Sequence, residues 1–445
     1  MKILDKIKSL LSDEFYRNIL QLLTGTTFAK FFPFLFALGL ARIYSPDQFG
    51  QFVLELTIAS ILSIIATAQY ENAVIIADDD NSSDNLFFFG IKLTTIMNGA
   101  FLLVGLVIIQ FSFIGNISVL HLAMIILYSY FFSVQQIFQS KLTRQKSYKK
   151  KAGIEIFRSV VTGAGQFLFF LFPEDGLLAG AVLGQLSPVL LYAIKGEFGS
   201  PKNVWEQKIF KNKDAIRHIN FPKYLLPGEL LNYVSSQLPV LVFKPLFGSA
   251  FLGYYSFSHR YVSIPIQLIS KSVSGVLVEK ATSLRYLKPE LRSIVFGLFR
   301  KQFLLGIIMF SILGLWGKEI FSIVFGKEWE AAGTMAQYIS PWLFAVLLGS
   351  PLSAITTAFE RQRFSMFFNI LFLTFRVAAV FSGFYFFRSV YVAVIFYSLV
   401  GFVFFCYLAY YSLRLADVRA KDCLLFILKT VLIILVPLVL IKLWL

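Results

Sequence analysis

The sequence predicts an all-α, polytopic membrane protein, and its composition, the length of its apolar runs and the placement of its charges all support this class. Of the 445 residues, 57% are hydrophobic and 15% are charged, whereas a soluble domain is about 45–50% apolar and about 25% charged. A helix needs about 20 apolar residues to cross a bilayer, and apolar runs of this length fill most of the chain. The composition excludes an ordinary cytosolic enzyme, a disordered chain and a nucleic-acid-binding domain.

The apolar runs form two groups of six and one additional run. The longest polar stretch of the chain separates the two groups. The runs lie at 17–42, 49–71, 86–112, 117–140, 152–172, 176–196, 224–247, 251–278, 294–316, 332–358, 364–387, 390–413 and 422–444. The domains expected from them are an interfacial N-terminal segment over 1–16, an N-lobe of six membrane-spanning helices over 17–196, a cytoplasmic amphipathic linker over 197–223, a C-lobe of six helices over 224–414 and an extra C-terminal helix over 422–444.

The net charge of +16 reports on topology, because cytoplasmic loops of membrane proteins collect Lys and Arg. With the N-terminus in the cytoplasm, most inside loops are strongly basic, and three short outside loops contain no Lys or Arg. The basic loops are 141–151, 195–223 and 279–292. The loops without Lys or Arg are 113–116, 173–175 and 248–250. One inside loop, Asp78–Asp80, is acidic, but acidic residues contribute little to this rule.

A faint internal repeat relates the two groups of runs. The first hairpin turn, Tyr44 to Phe52, and the turn after the seventh run, Phe247 to Tyr255, share an aromatic residue, a small-residue turn and a Gly two residues before an aromatic. The two glycines are Gly50 and Gly253. Internal repeats are frequent in transporters, where the substrate site lies between the halves.

The sequence favours transport over catalysis. It contains no Walker phosphate loop, no dinucleotide fingerprint and no zinc-protease motif. Its three histidines are far apart, and Cys406 and Cys423 have no metal-ligand spacing. No loop is long enough for a catalytic domain. We therefore predict that the chain is not an enzyme and has no cofactor or metal.

The candidate functional residues are the charges inside the apolar runs, which are costly in lipid by about 2.5–3.5 kcal/mol at a helix centre. Most of them are basic and would suit an anionic substrate, since Arg binds phosphate well. The candidate substrate-binding bases are Lys30, Arg158, Arg260, Lys271 and Arg376. The acids, which could couple transport to H+ or Na+, are Glu55 and Glu229. Two simpler interpretations stay open: Arg158 could pair with Glu155, and Lys271 could extend to an interface.

Several stretches resemble bacterial lipid-linked oligosaccharide flippases, the O-antigen and capsule repeat-unit translocases of the multidrug/oligosaccharidyl-lipid/polysaccharide exporter superfamily. The resemblance is carried by LLTGTTFAKFFPFLFALGLARIYSPDQFGQF, IATAQYENAVIIADDD, residues 221–281 and residues 323–363, in this order. Its more specific pieces are the turn Arg42-Ile-Tyr-Ser-Pro46 and Glu360-Arg-Gln-Arg363. The extra run at 422–444 departs from the usual twelve-helix form of these proteins.

The resemblance implies a MATE-like fold, in which two six-helix lobes enclose a central cavity, in the bacterial cytoplasmic (inner) membrane. It also implies that the substrate is an undecaprenyl-pyrophosphate-linked oligosaccharide, moved from the inner to the outer leaflet by alternating access for O-antigen, capsule or exopolysaccharide synthesis. Polysaccharide polymerase components would be partners. The membrane potential would favour outward movement of two negative charges by about 4–5 kcal/mol per 100 mV.

Three other functions stay open on the sequence. A cation-coupled multidrug antiporter of the same fold would need acidic residues for organic cations. An integral-membrane polysaccharide polymerase or transferase would need essential His, Asp or Arg residues clustered at one face. The chain could also be a structural subunit of a polysaccharide assembly complex.

Overall fold

The computed structural model describes residues 32–111, 118–172, 174–196, 212–284 and 286–444, apart from the side chain of Lys271. Over these ranges the chain forms helices and turns and no strands. The helices of the first half are α1 (32–40), α2 (Pro46–Thr67), α3 (Tyr70–Ile76), α4 (Asp80–Gln110), α5 (Val119–Arg144), α6 (Tyr148–Leu168), α7 (Gly176–Ile194), α8 (Lys213–Arg217), α9 (Leu226–Ser236) and α10 (Leu238–Phe247). Those of the second half are α11 (Ser249–Val262), α12 (Ile264–Ser283), α13 (Lys288–Phe325), α14 (Glu330–Ala358), α15 (Gln362–Tyr385), α16 (Val390–Leu415) and α17 (Ala420–Trp444).

Within the described ranges, 10 helices are long and apolar enough to cross a membrane, or 11 if the bent pair α11 and α12 is one span. They coincide with the predicted runs, so the all-α polytopic class is confirmed. The seventh run is interrupted instead: α9 and α10 meet at Gln237, and Pro239 opens α10. Proline lacks an N–H and cannot continue the helical hydrogen bonds. The segment 1–16 and most of the linker 197–223 lie outside the described residues.

The chain divides into two compact units. The first unit extends from Phe31 to Gly253. Its core lies between α3, α4, α5 and α7, where the rings of Phe138 and Tyr192 stack at 3.9 Å and Phe87 packs edge-on against Phe138 at 4.8 Å. Both α2 and α5 contribute polar groups to the interior, since Ser133 on α5 donates a hydrogen bond of 2.8 Å to Ser63 on α2. The interior of this unit is therefore not purely apolar.

The two repeat-related turns meet inside the first unit. A Cβ on Gly50 would overlap the backbone carbonyl of Ser249, and a Cβ on Gly253 would overlap the carbonyl of Pro46. Gly50 on α2 thus allows the backbone at the start of α11 to come close, and Gly253 on α11 does the same for the start of α2. The internal repeat seen in the sequence corresponds to this close helix contact.

The acidic loop at Asp78–Asp80 is neutralised by basic residues that follow later in the chain. Arg144 lies 3.1 Å from Asp80, and Arg217, on α8, pairs with Asp78. Lys141 lies 2.8 Å from Asp84 on α4. These ion pairs explain why acidic residues are tolerated at an otherwise basic end of the unit.

The second unit contains the helices from Tyr254 onward. Its core is formed by α12, α13, α14 and α16, and α17 packs on it through Phe426, Ile427 and Val431. An ion pair of 2.5 Å between Arg292 on α13 and Asp422 fixes the start of α17. The extra C-terminal run is therefore a helix of this unit that is long and apolar enough to span a membrane.

Candidate functional site

Arg376 is buried at the middle of α15 in an enclosure of aromatic rings. Its guanidinium carbon lies 4.3 Å from the ring centre of Trp342, 4.1 Å from Phe372 and 4.1 Å from Tyr397. Its Nη1 donates a hydrogen bond of 2.7 Å to the Tyr397 hydroxyl. Gly401 makes room for this enclosure, because a Cβ there would overlap the Trp342 indole.

The enclosure compensates only part of the cost of burying a charge. A desolvated cation–π contact contributes about 2 kcal/mol or more, while an unpaired buried charge costs far more. The residue is 7% exposed, and no carboxylate of the described chain pairs with it. Its Nε and Nη2 make no hydrogen bond to the described residues. Arg376 thus keeps donors that an anion could satisfy.

The other predicted bases have different surroundings. Arg158 donates hydrogen bonds of 3.1 and 2.8 Å to Glu155, whose other oxygen accepts from Gln135 and Gln139. Its simpler interpretation as an intrahelical pair is therefore confirmed. Arg260 is exposed at the end of α11. Lys30 and the side chain of Lys271 lie outside the described residues. Arg158 belongs to the first unit, and Arg260 and Arg376 belong to the second.

Of the two predicted acids, Glu55 lies in a polar cluster of the first unit and Glu229 is exposed on α9. Glu55 accepts a hydrogen bond of 2.6 Å from Gln51 and lies 3.7 Å from His121. His121 in turn lies 3.2 Å from Asp175. Nothing in the sequence connects His121 or Asp175 with Glu55, because the three residues lie in or directly before different helices.

A long apolar cavity of about 1160 Å³ lies within the second unit, between α13, α14, α16 and α17. Phe303, Phe344 and Ile427 are typical of its walls. Arg414 and Lys421 lie at one end, where α16 ends and α17 begins. The lining of α17 continues from Lys421 to Leu435, about 21 Å at 1.5 Å per residue.

The two bases at the cavity end are free to bind an anion. Neither Arg414 nor Lys421 forms an ion pair with another residue in the described part of the chain, and both are exposed. Both lie between the predicted runs 390–413 and 422–444, and nothing in the sequence singles them out. Only the packing of α17 onto α13 brings them to the end of an apolar cavity.

The fold defines the chain as a polytopic protein with the architecture of MATE transporters and of MurJ. It is similar to the inward-closed lipid II flippase MurJ, with a TM-score of 0.68 and 15% identity over 92% of this chain and 91% of that one. It is also similar to an inward-facing multidrug resistance MATE transporter, with a TM-score of 0.61 and 12% identity over 87% of this chain and 94% of that one. The MATE-like fold class is thereby confirmed, while the arrangement in two six-helix lobes stays a prediction.

The chain belongs to the polysaccharide biosynthesis protein family, whose model matches residues 39–334. It is 24% identical to the succinoglycan biosynthesis transport protein ExoT of Rhizobium meliloti over 305 residues, 66% of this chain and 59% of that protein. It is 22% identical to the lipopolysaccharide biosynthesis protein WzxC of Escherichia coli over 195 residues, 43% of this chain and 39% of that protein. The matched regions thus span less than two thirds of these relatives. The name of ExoT as a transport protein agrees with the prediction that the chain is not an enzyme.

Proposed function

We propose that this protein is a flippase that moves undecaprenyl-pyrophosphate-linked oligosaccharide repeat units from the inner to the outer leaflet of the bacterial cytoplasmic membrane. Alternating access would carry the saccharide across for the synthesis of O-antigen, capsule or exopolysaccharide. The family membership supports a role in polysaccharide synthesis, and the likeness to a lipid II flippase supports the fold that such a step requires.

The observation that carries the proposal is the apolar cavity of the second unit. Its length of about 21 Å along α17 and its two bases at one end match an anionic lipid with a long hydrocarbon chain. The polyprenyl chain would lie along the apolar walls, and the pyrophosphate would lie near Arg414 and Lys421. A small drug-like cation would leave most of these walls without a partner.

Arg376 would act at a later point on the path of the pyrophosphate. Its free donors and its fixed position would offer an anion a partial replacement for water. Lys30, Arg158, Arg260 and Lys271 stay candidates for the same path, with Arg158 the weakest because Glu155 already occupies its donors. The N-terminus would be cytoplasmic, as the loop charges predict.

Deletion of the gene, followed by mass spectrometry of the lipid extract, tests the proposal. We expect one lipid-linked saccharide to accumulate and the surface polymer to disappear, and both to revert on complementation. Unchanged lipid-linked intermediates in the deletion strain, with normal polymer, would contradict the proposal.

Two variants test the assigned groups, each beside a control on the same helix. Ala409→Phe narrows the cavity from α16, while Leu399→Phe changes an exposed position of α16. Arg376→Gln removes the buried charge, while Arg363→Gln removes an exposed one from α15. At equal expression, we expect the first member of each pair to lower export and the control to leave it unchanged. Normal export by Arg376→Gln would remove Arg376 from the path.

A further inference from the structure

We propose that Glu55 is a proton-binding site of the first unit and that protons reach it from the outside through Asp175 and His121. The inference rests on the proposed function, because the bound proton would couple the inward movement of H+ to the outward movement of the lipid-linked saccharide. Neither the sequence nor the relatives assign His121 or Asp175 a role.

The three side chains form a route from the surface to the interior. Asp175 is 28% exposed, His121 is 22% exposed and Glu55 is 4% exposed. The same ring atom, Nε2 of His121, lies 3.2 Å from Asp175 Oδ1 and 3.7 Å from Glu55 Oε1. Since Nε2 carries a single hydrogen, it can serve only one carboxylate at a time, and a small rotation of the ring exchanges one for the other.

His121 is held in position from its other side. Its Nδ1 lies 2.8 Å from the hydroxyl of Ser118, the residue that caps the start of α5. A hydroxyl can both donate and accept, so this contact fits the neutral ring and the doubly protonated ring equally well. The ring can therefore change its protonation state without losing its anchor.

The charges around Glu55 are one proton short of neutrality. The ionisable neighbours of Glu55 are His121, Lys244 and Asp175. Gln51, on the same helix as Glu55, adds a hydrogen bond. Two carboxylates and one ammonium sum to one negative charge when His121 is neutral. A buried cluster is least costly when its charges balance, which favours uptake of one proton.

The groups that face Glu55 favour a proton over Na+. A metal cation needs several oxygen ligands. Glu55 Oε1 instead accepts a hydrogen bond from the amide nitrogen of Gln51 and faces the ring nitrogen of His121. Among the described residues, no group of three or more His, Cys, Asp or Glu side chains could hold a metal ion. Nitrogen donors around a carboxyl oxygen leave room for a proton transfer and none for a cation shell.

The transfer balances in charge and atoms. His121, neutral at the start, takes a proton on Nε2 from external water by way of Asp175 and becomes doubly protonated. It then gives this Nε2 proton to the Glu55 carboxylate, which leaves a neutral imidazole and a carboxylic acid. In total, one proton moves from the outside, the side that the loop charges assign to this end of the helices, to Glu55.

Protonation would loosen the contact between α2 and α10. Lys244 on α10 donates a hydrogen bond to Gln51 Oε1, while the Gln51 amide donates to Glu55. The chain Lys244–Gln51–Glu55 is strongest when Glu55 is ionised, because charge-assisted hydrogen bonds are about twice as strong as neutral ones. Since α9 and α10 form the interrupted seventh run, proton binding acts on a segment that already has a break.

Infrared difference spectra of the purified full-length protein, recorded between about pH 5 and about pH 8, test the site directly, since an ordinary Glu carboxyl group is ionised throughout this range. We expect a band of a buried, protonated carboxyl group that is lost in Glu55→Gln. The control Glu174→Gln, an exposed neighbour of Asp175, keeps the band. Absence of the band from the unmodified protein, or its persistence in Glu55→Gln, would overturn the proposal.

Export measurements test the coupling. In cells, a pH gradient of about one unit is a tenfold difference in proton activity, so its collapse at constant membrane potential should slow export by up to about tenfold. Export by Glu55→Gln should no longer respond, while Glu174→Gln should respond normally. Equal sensitivity of Glu55→Gln and the unmodified protein would refute coupling through this site. A protein that does not flip at all would contradict the proposed function but leave the infrared test of the proton site intact.

Discussion

The close contact between the two repeat-related turns leads to a strong prediction for Gly50→Ala. The added Cβ would meet the carbonyl carbon of Ser249 at 2.7 Å and the amide nitrogen of Gly253 at 2.9 Å. These are backbone atoms, so no side chain can rotate away. Overpacking of a well-packed interior costs about 1–3 kcal/mol, and a clash between two backbones belongs at the upper end of this range.

Gly99→Ala is the matched control. Gly99 also lies within a membrane-spanning helix, α4, but a Cβ there meets no atom within 4 Å. Replacement of a helical Gly by Ala stabilises a helix by about 0.5–1 kcal/mol. The two substitutions are chemically identical and are expected to shift stability in opposite directions.

The assay is thermal unfolding of the purified variants in one detergent. We expect Gly50→Ala to unfold several degrees below the unmodified protein and Gly99→Ala to unfold at the same temperature or above. The double variant Gly50→Ala/Gly253→Ala should cost less than the sum of its single changes, because both glycines serve one contact. Equal unfolding temperatures for Gly50→Ala and Gly99→Ala would refute the contact.

Three further predictions concern local structure and charge. Ser45→Ala should destabilise the start of α2 by about 1 kcal/mol, measured by thermal unfolding, because it removes a capping box shared with Gln48. The hydrogen bond from the Ser82 amide lowers the pKa of Asp79 below its usual 3.8, so the cap is stabilising above that pH and is lost as the pH falls through the lowered value. The protection of the Ser82 amide against hydrogen exchange, relative to its intrinsic exchange rate, should fall there, and Asp79→Asn should remove this loss. Arg376→Lys should support less export than the unmodified protein, because Lys lacks the planar group that stacks on aromatic rings. Export equal to that of the unmodified protein would show that only the charge at this position matters.

The sequence predicts the helices well because the bilayer imposes a simple requirement on them. Nearly every apolar run corresponds to a helix, and helix starts such as Ser45 and Ser118 carry the expected capping residues. Among the described residues, the seventh and eighth runs are exceptions, because each is divided into two helices. The seventh run shows the reason. Its apolar content predicts one span, but Pro239 at the start of α10 interrupts the hydrogen bonds, and hydropathy does not register this.

The candidate sites were less predictable because they depend on contacts between distant segments. Arg376 was found from its depth in an apolar run, but its partners Trp342 and Tyr397 could not be selected from a chain with 51 Phe and 20 Tyr. Glu55 was found in the same way. His121 and Asp175 were not, since each lies at the start of a different helix and only the packing of α2, α5 and α7 brings them to Glu55.

The orientation of the lipid-linked repeat unit in the membrane tests the central claim most directly. In a strain without the polysaccharide polymerase, single repeat units persist on their lipid and can be labelled from outside by a membrane-impermeant saccharide reagent. With this protein present, we expect the units to be labelled in intact spheroplasts. Without it, we expect them to be protected in spheroplasts and labelled only after the membrane is opened. Equal labelling of intact spheroplasts with and without the protein would contradict its assignment as the flippase.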